Sequence, residues 1–227
     1  MGKQDFIKIE SDNYNFYIKK DSVAERDIED IIALQEESYQ AIVSLFDLKE
    51  PFKINYFLLD DATEVGNIYG ELYGDYEPCN GFADSPNNIY AVYNETVKCV
   101  GPHEDAHILS YRVNKPGSVF IREGLAMYFD EFWWGKPNRQ WVREFLEDGS
   151  FVSIDKLLND DNFYALSDAL TYPIAGAFTE FLIKTFGEKN YLEFYQYQGT
   201  DFPAEIARVY HRSLPDLEAV FKEFVMA

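Results

Sequence analysis

The sequence predicts an α+β fold in which a part that contains a small sheet precedes an all-helical part. Before about residue 100, short apolar segments are bounded by turn residues, as strands usually are. After it, apolar residues recur at helical spacing almost to the end of the chain. No internal repeat and no linker rich in Pro and Ser divides the 227 residues. We therefore expect a single structural unit over 1–227, with a sheet-containing lobe at 1–112 and a helical lobe at 113–227.

The first lobe is predicted to hold four strands, one long helix and, at its end, a further helix that begins near Pro102. The turn residues Ser11-Asp12-Asn13 separate two strand-like segments and indicate a hairpin. A run with apolar residues at helical spacing follows, and Pro51 ends it. The predicted elements are strands at 6–10 and 14–19, a helix at 22–46, and strands at 52–59 and 88–94.

The second lobe is predicted to consist of helices. The helix that precedes it, at the end of the first lobe, is expected to begin at Pro102, whose missing N–H leaves no bond unmade in a first turn. Ser213-Leu214-Pro215-Asp216 is typical of the start of a last helix that ends near Phe224. The other helices are expected at about 119–134, 138–148, 172–186, 188–197 and 203–211.

Composition excludes several classes of protein. A hydrophobic fraction of 47% is enough for a sizeable core, so we do not expect a disordered chain. The net charge of −20 argues against nucleic-acid binding, which needs clustered Lys and Arg to neutralise phosphates. No apolar run is long enough to span a membrane. The first residues lack the apolar stretch of a secretory signal, which favours the cytoplasm unless the natural N-terminus was trimmed.

Cys79 and Cys99 are the only two cysteines. Two thiols cannot supply a four-ligand structural zinc site, and neither lies near a histidine at the spacing of a zinc finger. They either form one disulfide in an oxidising compartment or stay reduced. The absence of an export signal favours reduced thiols.

The segment His103-Glu104-Asp105-Ala106-His107 reads H-E-x-x-H and contains two of the three histidines of the chain. On a helix these two imidazoles lie about 40° apart around the axis and about 6 Å apart along it. Both can therefore bind one zinc ion from the same face. Glu104 lies beside that face, where it can take a proton from a metal-bound water. Asp105 is interpreted as an acidic residue favoured by the helix dipole at the N-terminal end.

A third protein ligand is required, because a catalytic zinc site has three of them and one open position. The best candidate is Glu123, sixteen positions after His107 on a segment with helical periodicity. The turn Asn114-Lys115-Pro116-Gly117 would let this second helix pack back against the first. Gly124 and Ala126 are small, as close packing of two helices requires.

H-E-x-x-H followed by E-G-x-A at 123–126 resembles the gluzincins, the zinc metallopeptidases that include thermolysin and the zinc aminopeptidases. The small peptidase MA-like branch of that group is the most similar. This resemblance implies a zincin-like fold, one Zn²⁺ per chain on His103, His107 and Glu123, and Glu104 as general base. It implies hydrolysis of a peptide or protein substrate. The layout is similar over roughly 25–225, but only 103–128 is specific.

Two further roles follow from the resemblance alone. Tyr172 opens a segment that ends in Phe186-Gly187-Glu188, and the aminopeptidases use a tyrosine in this context to donate a hydrogen bond to the oxyanion. The strand before the motif is an edge strand in gluzincins and pairs with the substrate backbone. That role would fall on Ile89, Tyr90, Ala91 and Tyr93, whose other reading is ordinary strand packing.

The chain departs from the family in several places. The Gly-x-Met-Glu-Asn signature that holds a substrate's free amine in the aminopeptidases is absent, which argues against aminopeptidase activity. Met127 replaces the Asp that thermolysin has four residues after its glutamate ligand, so any partner of the first histidine must come from elsewhere. Two alternatives to a peptidase stay open. One is a degenerate gluzincin that serves as a binding or regulatory module, and the other is a zinc hydrolase of a non-peptide amide or ester.

Overall fold

A computed structural model describes residues 6–227. Helices and strands are mixed, with a small sheet in the N-terminal part and a mostly helical C-terminal part, so this level of the predicted fold class is confirmed. The chain divides into a first unit that ends at Leu109 and a second unit, Ser110–Ala227. The sequence analysis placed the division at residue 112. Within 6–227 no helix is both long and apolar enough to cross a membrane. The expectation about a secretory signal concerns residues that lie partly outside this range.

The first unit contains a five-stranded mixed sheet and its helices. Its elements are β1 (Phe6–Glu10), β2 (Tyr14–Lys19), α1 (Val23–Arg26), α2 (Ile28–Phe46), β3 (Ile54–Leu59), α3 (Ala62–Tyr73), β4 (Gly81–Asp84), β5 (Asn88–Val92) and α4 (Pro102–Ser110), which ends at the division. The strand order is β1-β2-β3-β5-β4. β2, β3 and β5 run parallel, while β1 and β4 pair antiparallel at the two ends of the sheet. Among the described residues, β1 and β4 are therefore the edge strands.

Side-chain alternation in the strands separates two buried faces. Tyr14 and Phe16 of β2 and Tyr56 of β3 are almost fully buried on one face. The Tyr14 hydroxyl lies within hydrogen-bond distance of Gln35 of α2 and Asp105 of α4, so these two helices cover that face. The other face holds an apolar cluster with α3, formed by Leu59, Val65, Phe82, Tyr90 and Val92. The sheet thus contacts α4 through the hydrogen bond between Tyr14 and Asp105, which helps to fix the orientation of the helix.

The sequence analysis missed α3 and β4. Asp61 does carry the usual signal of a helix start, since its side chain accepts from the N–H groups of Thr63 and Glu64. Two glycines inside α3 lower its intrinsic helix propensity. Gly66 is required by packing, because a Cβ there would lie 2.8 Å from the carbonyl oxygen of Glu77. Tertiary contact with the following loop therefore overrides local propensity.

The second unit is built from helices and one short hairpin. Its elements are α5 (Val119–Asp130), β6 (Phe132–Trp133), β7 (Lys136–Pro137), α6 (Asn138–Asp148), α7 (Ile154–Leu157), α8 (Asp160–Tyr164), α9 (Asp168–Phe186), α10 (Glu188–Tyr195), α11 (Phe202–Tyr210) and α12 (Leu214–Met226). The prediction that α5 extends to residue 134 was wrong. Glu131 caps the helix in a left-handed conformation, and Trp134 and Gly135 form the turn of the hairpin, both with positive φ. Gly135 and Pro137 disfavour a continuous helix, and the helical periodicity alone did not indicate this interruption.

α5 and α9 pack very closely against each other. A Cβ at Gly124 would lie 2.6 Å from Thr179 Oγ1 and 2.9 Å from the Ala175 carbonyl oxygen, so only glycine fits there. α9 begins at Asp168, four residues earlier than predicted, and Pro173 lies inside it. The Ser167 carbonyl closes the first turn by accepting from Leu170 and Thr171. The close approach of α9 fixes the position of Glu123, the residue before Gly124.

Candidate metal centre

The two histidines of the motif lie on one face of α4, as predicted. The ring centroids of His103 and His107 are 5.2 Å apart, and the rings are nearly perpendicular. His107 is buried and His103 is half-buried, so both imidazoles are largely covered by protein but keep some exposure to solvent. Two imidazoles on one helix face could bind the same metal ion.

Glu104 lies against the start of the edge strand β4. A Cβ built at Gly81 would be 3.4 Å from Glu104 Oε1 and 3.1 Å from Cys99 Sγ.

Burial, with the Glu104 charge as the second cause, raises the pKa of the Cys79 thiol to about 11. That thiol is therefore protonated near neutral pH and is a poor nucleophile. No disulfide joins Cys79 to Cys99.

Asp105 has a role that the sequence did not reveal. It is fully buried, whereas an acidic residue placed only for the helix dipole would be exposed to solvent. Its Oδ2 lies 2.5 Å from the Tyr14 hydroxyl and accepts from Gln35 Nε2 at 2.9 Å. Burial and the Asp105 charge raise the pKa of Tyr14 well above its ordinary value, so the hydroxyl remains a donor. Asp105 is therefore an anchor of α4.

Glu123 lies on α5, half-buried, between Arg122 and Gly124. Arg122 donates to the carbonyl oxygens of Pro116 and Gly117, which fixes the turn before α5. His103, His107 and Glu123 each offer one ligand atom, and these atoms lie within 4.8 Å of one another. They form a group of the described residues that could hold a metal ion.

Tyr172 is half-buried in an aromatic cluster of the second unit. Its ring centroid lies 5.1 Å from that of Trp133 in the hairpin and 5.8 Å from that of Phe163. Its role as an oxyanion donor stays a prediction. A second tyrosine, Tyr164, is exposed on α8, and its hydroxyl lies within electrostatic range of Arg122 and Glu123. The sequence analysis did not select Tyr164 as a candidate oxyanion donor, although its hydroxyl lies near Glu123.

The premise behind the predicted substrate strand was wrong. β5 pairs with β3 on one side and β4 on the other, so it is not an edge strand. Ile89, Tyr90, Ala91 and Tyr93 are all buried. The chain returns after α3 as β4, which covers β5 and leaves its own outer side as the edge. Sequence patterning cannot reveal this, because strand order depends on long-range pairing.

Two comparisons with known proteins identified no relative of this chain. No family model matches the chain, and no curated protein matches it.

Proposed function

We propose that this chain is a zinc-dependent metallopeptidase with a zincin-like fold. The observation that carries the proposal is the convergence of His103, His107 and Glu123, whose ligand atoms lie within 4.8 Å of one another. Their resemblance in sequence to the gluzincin pattern supports the same three residues as ligands and Glu104 as general base. Because neither comparison supplies a relative, the proposal rests on these residues and their geometry.

The donor set fits zinc. Two imidazole nitrogens and one carboxylate oxygen are ligands that catalytic zinc sites use, with a further position left for water or substrate. Zinc sites hold such atoms at about 2.0–2.2 Å from the ion. Bound zinc supplies Lewis acidity, which polarises a carbonyl and lowers the pKa of water from about 15.7 to about 7.

Glu104 is the group that moves protons. It follows His103 on α4, and its carboxylate is not one of the proposed ligands. It would take a proton from the attacking water and deliver that proton to the leaving amine of the peptide. Because a metal-activated water would be the attacking group, no covalent intermediate is proposed.

The edge strand β4 is the proposed docking strand for the substrate backbone. Because Val92 N–H donates to the Asn80 carbonyl, the alternating antiparallel pattern turns the backbone groups of Gly81 and Ala83 away from β5. A peptide can add to such an edge by main-chain hydrogen bonds. Gly81 also lies beside Glu104, so a peptide on β4 would pass the general base.

Zinc content and chelator-sensitive turnover of the purified wild-type protein test this function. We expect about one zinc per chain by elemental analysis and cleavage of some members of a mixed peptide library. A chelator should abolish the cleavage, and added zinc should restore it. Stoichiometric zinc without turnover on peptides, amides or esters would instead indicate a binding or regulatory module. Protein that stays metal-free after reconstitution would contradict the proposal.

Tyr172→Phe tests the proposed oxyanion donor. We expect kcat to fall by about 10²–10³ while zinc content is unchanged, because the lost hydroxyl would stabilise charge that develops only in the transition state. Tyr164→Phe is the matched control, since it removes a hydroxyl from a tyrosine of the same unit that lies near Glu123. A loss of kcat in Tyr164→Phe with none in Tyr172→Phe would transfer the role to Tyr164.

A further inference from the structure

The back of the motif helix is held by a buried hydrogen-bond network. We propose that Tyr14 and Gln35 are positioning residues for the metal centre, which act through Asp105 and Gly101 to set the rotation of α4. This inference rests on the proposed zinc site. It assigns a function to residues that precede the motif by more than sixty positions along the chain.

The helix geometry makes Asp105 the natural anchor. An α-helix turns by about 100° per residue, so residues two before and two after Asp105 project about 160° away from it on either side. His103 and His107 occupy those two positions. The direction midway between the imidazoles is therefore opposite to the Asp105 side chain. Any rotation of Asp105 about the helix axis moves both imidazoles by the same angle.

Gln35 fixes the start of the same helix. Its Oε1 accepts from the Gly101 N–H at 2.6 Å, and its Nε2 lies 3.2 Å from the Gly101 carbonyl oxygen. The same Nε2 donates to Asp105 at 2.9 Å. One fully buried side chain thus holds both backbone groups of the residue before α4 and the anchor one turn later. Gly101 has a φ of +129°, which only glycine adopts readily, so the backbone conformation at the start of α4 requires glycine at this position.

Tyr14 completes the network from the sheet. Its hydroxyl lies 2.5 Å from Asp105 Oδ2 and 2.9 Å from the Gln35 carbonyl oxygen. A hydroxyl has one proton, and the Asp105 oxygen is the closer of its two acceptors. The Tyr14 ring stacks on Phe16 and contacts Tyr56, so the hydroxyl is aimed by a rigid core. The position of the anchor is thereby tied to strand β2.

The experiment measures zinc affinity in Tyr14→Phe and Gln35→Met. Tyr39→Phe is the matched control, because Tyr39 is a buried tyrosine of the same unit whose hydroxyl donates to the Phe52 carbonyl oxygen instead. Zinc affinity is measured by competition with a chromophoric chelator, and ligand geometry by the visible spectrum of the Co²⁺-substituted protein. The thermal midpoint of the metal-free protein reports the purely structural effect.

We expect the zinc dissociation constant to rise about 10–100-fold in Tyr14→Phe and Gln35→Met, with a changed Co²⁺ spectrum. The metal-free midpoint should fall by about 2–4 °C in Tyr14→Phe and in Tyr39→Phe alike, since each loses one buried hydrogen bond. Tyr39→Phe should keep the wild-type zinc affinity and Co²⁺ spectrum. Unchanged zinc affinity and an unchanged spectrum in both Tyr14→Phe and Gln35→Met would overturn the positioning role.

Failure of the proposed function gives a different result. If the wild type binds zinc and these variants weaken it but no peptide is cleaved, the positioning role stands and the peptidase proposal fails. A wild type that binds neither zinc nor Co²⁺ overturns both. Weakened zinc binding in Tyr39→Phe to the same extent would also overturn the inference, because it would show a general effect of core disruption.

Discussion

Glu104→Gln is expected to keep about one zinc per chain and to lower kcat by about 10²–10⁴-fold, or about 3–5 kcal/mol of transition-state stabilisation. Glutamine has nearly the shape of glutamate but cannot accept a proton at neutral pH. Since Glu104 is not one of the proposed ligands, the metal should be unaffected. Elemental analysis and steady-state kinetics on the same protein samples measure the two quantities together.

The control for this variant is Glu37→Gln. Glu37 is exposed on α2 and undergoes the same change of charge and shape, so its kcat and zinc content should equal those of the wild type. Loss of zinc in Glu104→Gln would show that this residue is a ligand or supports one. Full activity with full zinc would remove Glu104 from the mechanism and leave the proton transfer without a base.

Replacement of the proposed ligands should abolish both zinc binding and the stabilisation that zinc provides. His103→Ala, His107→Ala and Glu123→Ala each leave two ligands, too few for a catalytic zinc site. At a zinc concentration of about 1,000 times its dissociation constant, the wild type should gain about 4 kcal/mol in free energy of unfolding. The three variants should show no such gain. Denaturant titration with and without zinc, beside elemental analysis, measures the effect.

The third histidine of the chain provides the control for these variants. His211 is exposed at the end of α11 with a φ of +54°, a conformation that asparagine tolerates better than alanine. His211→Asn should therefore keep both zinc and the zinc-dependent stabilisation. If Glu123→Ala binds zinc as tightly as the wild type, Glu123 is not the third ligand, and the two histidines must share the ion with another group.

The sequence by itself determined the local part of the candidate site. The spacing of His103 and His107 depends only on the helical repeat, and the structure brings their rings to 5.2 Å. Hydrophobic periodicity also predicted the mixed first part, the helical second part and most element positions, because the pattern of burial repeats with the element's own period. Glu123 was selected from spacing, and its ligand atom lies within 4.8 Å of those of the histidines.

Only the tertiary structure decided how α4 is held and which strand forms the edge. Asp105 reads as a helix-dipole residue until Tyr14, 91 positions earlier in the chain, is placed against it. The position of β5 inside the sheet depends on the return of β4, and α3 forms despite its glycines because a loop packs on Gly66. These features arise from pairings between distant segments. Local sequence patterns carry no record of such pairings, because each depends on the free energy of the whole fold.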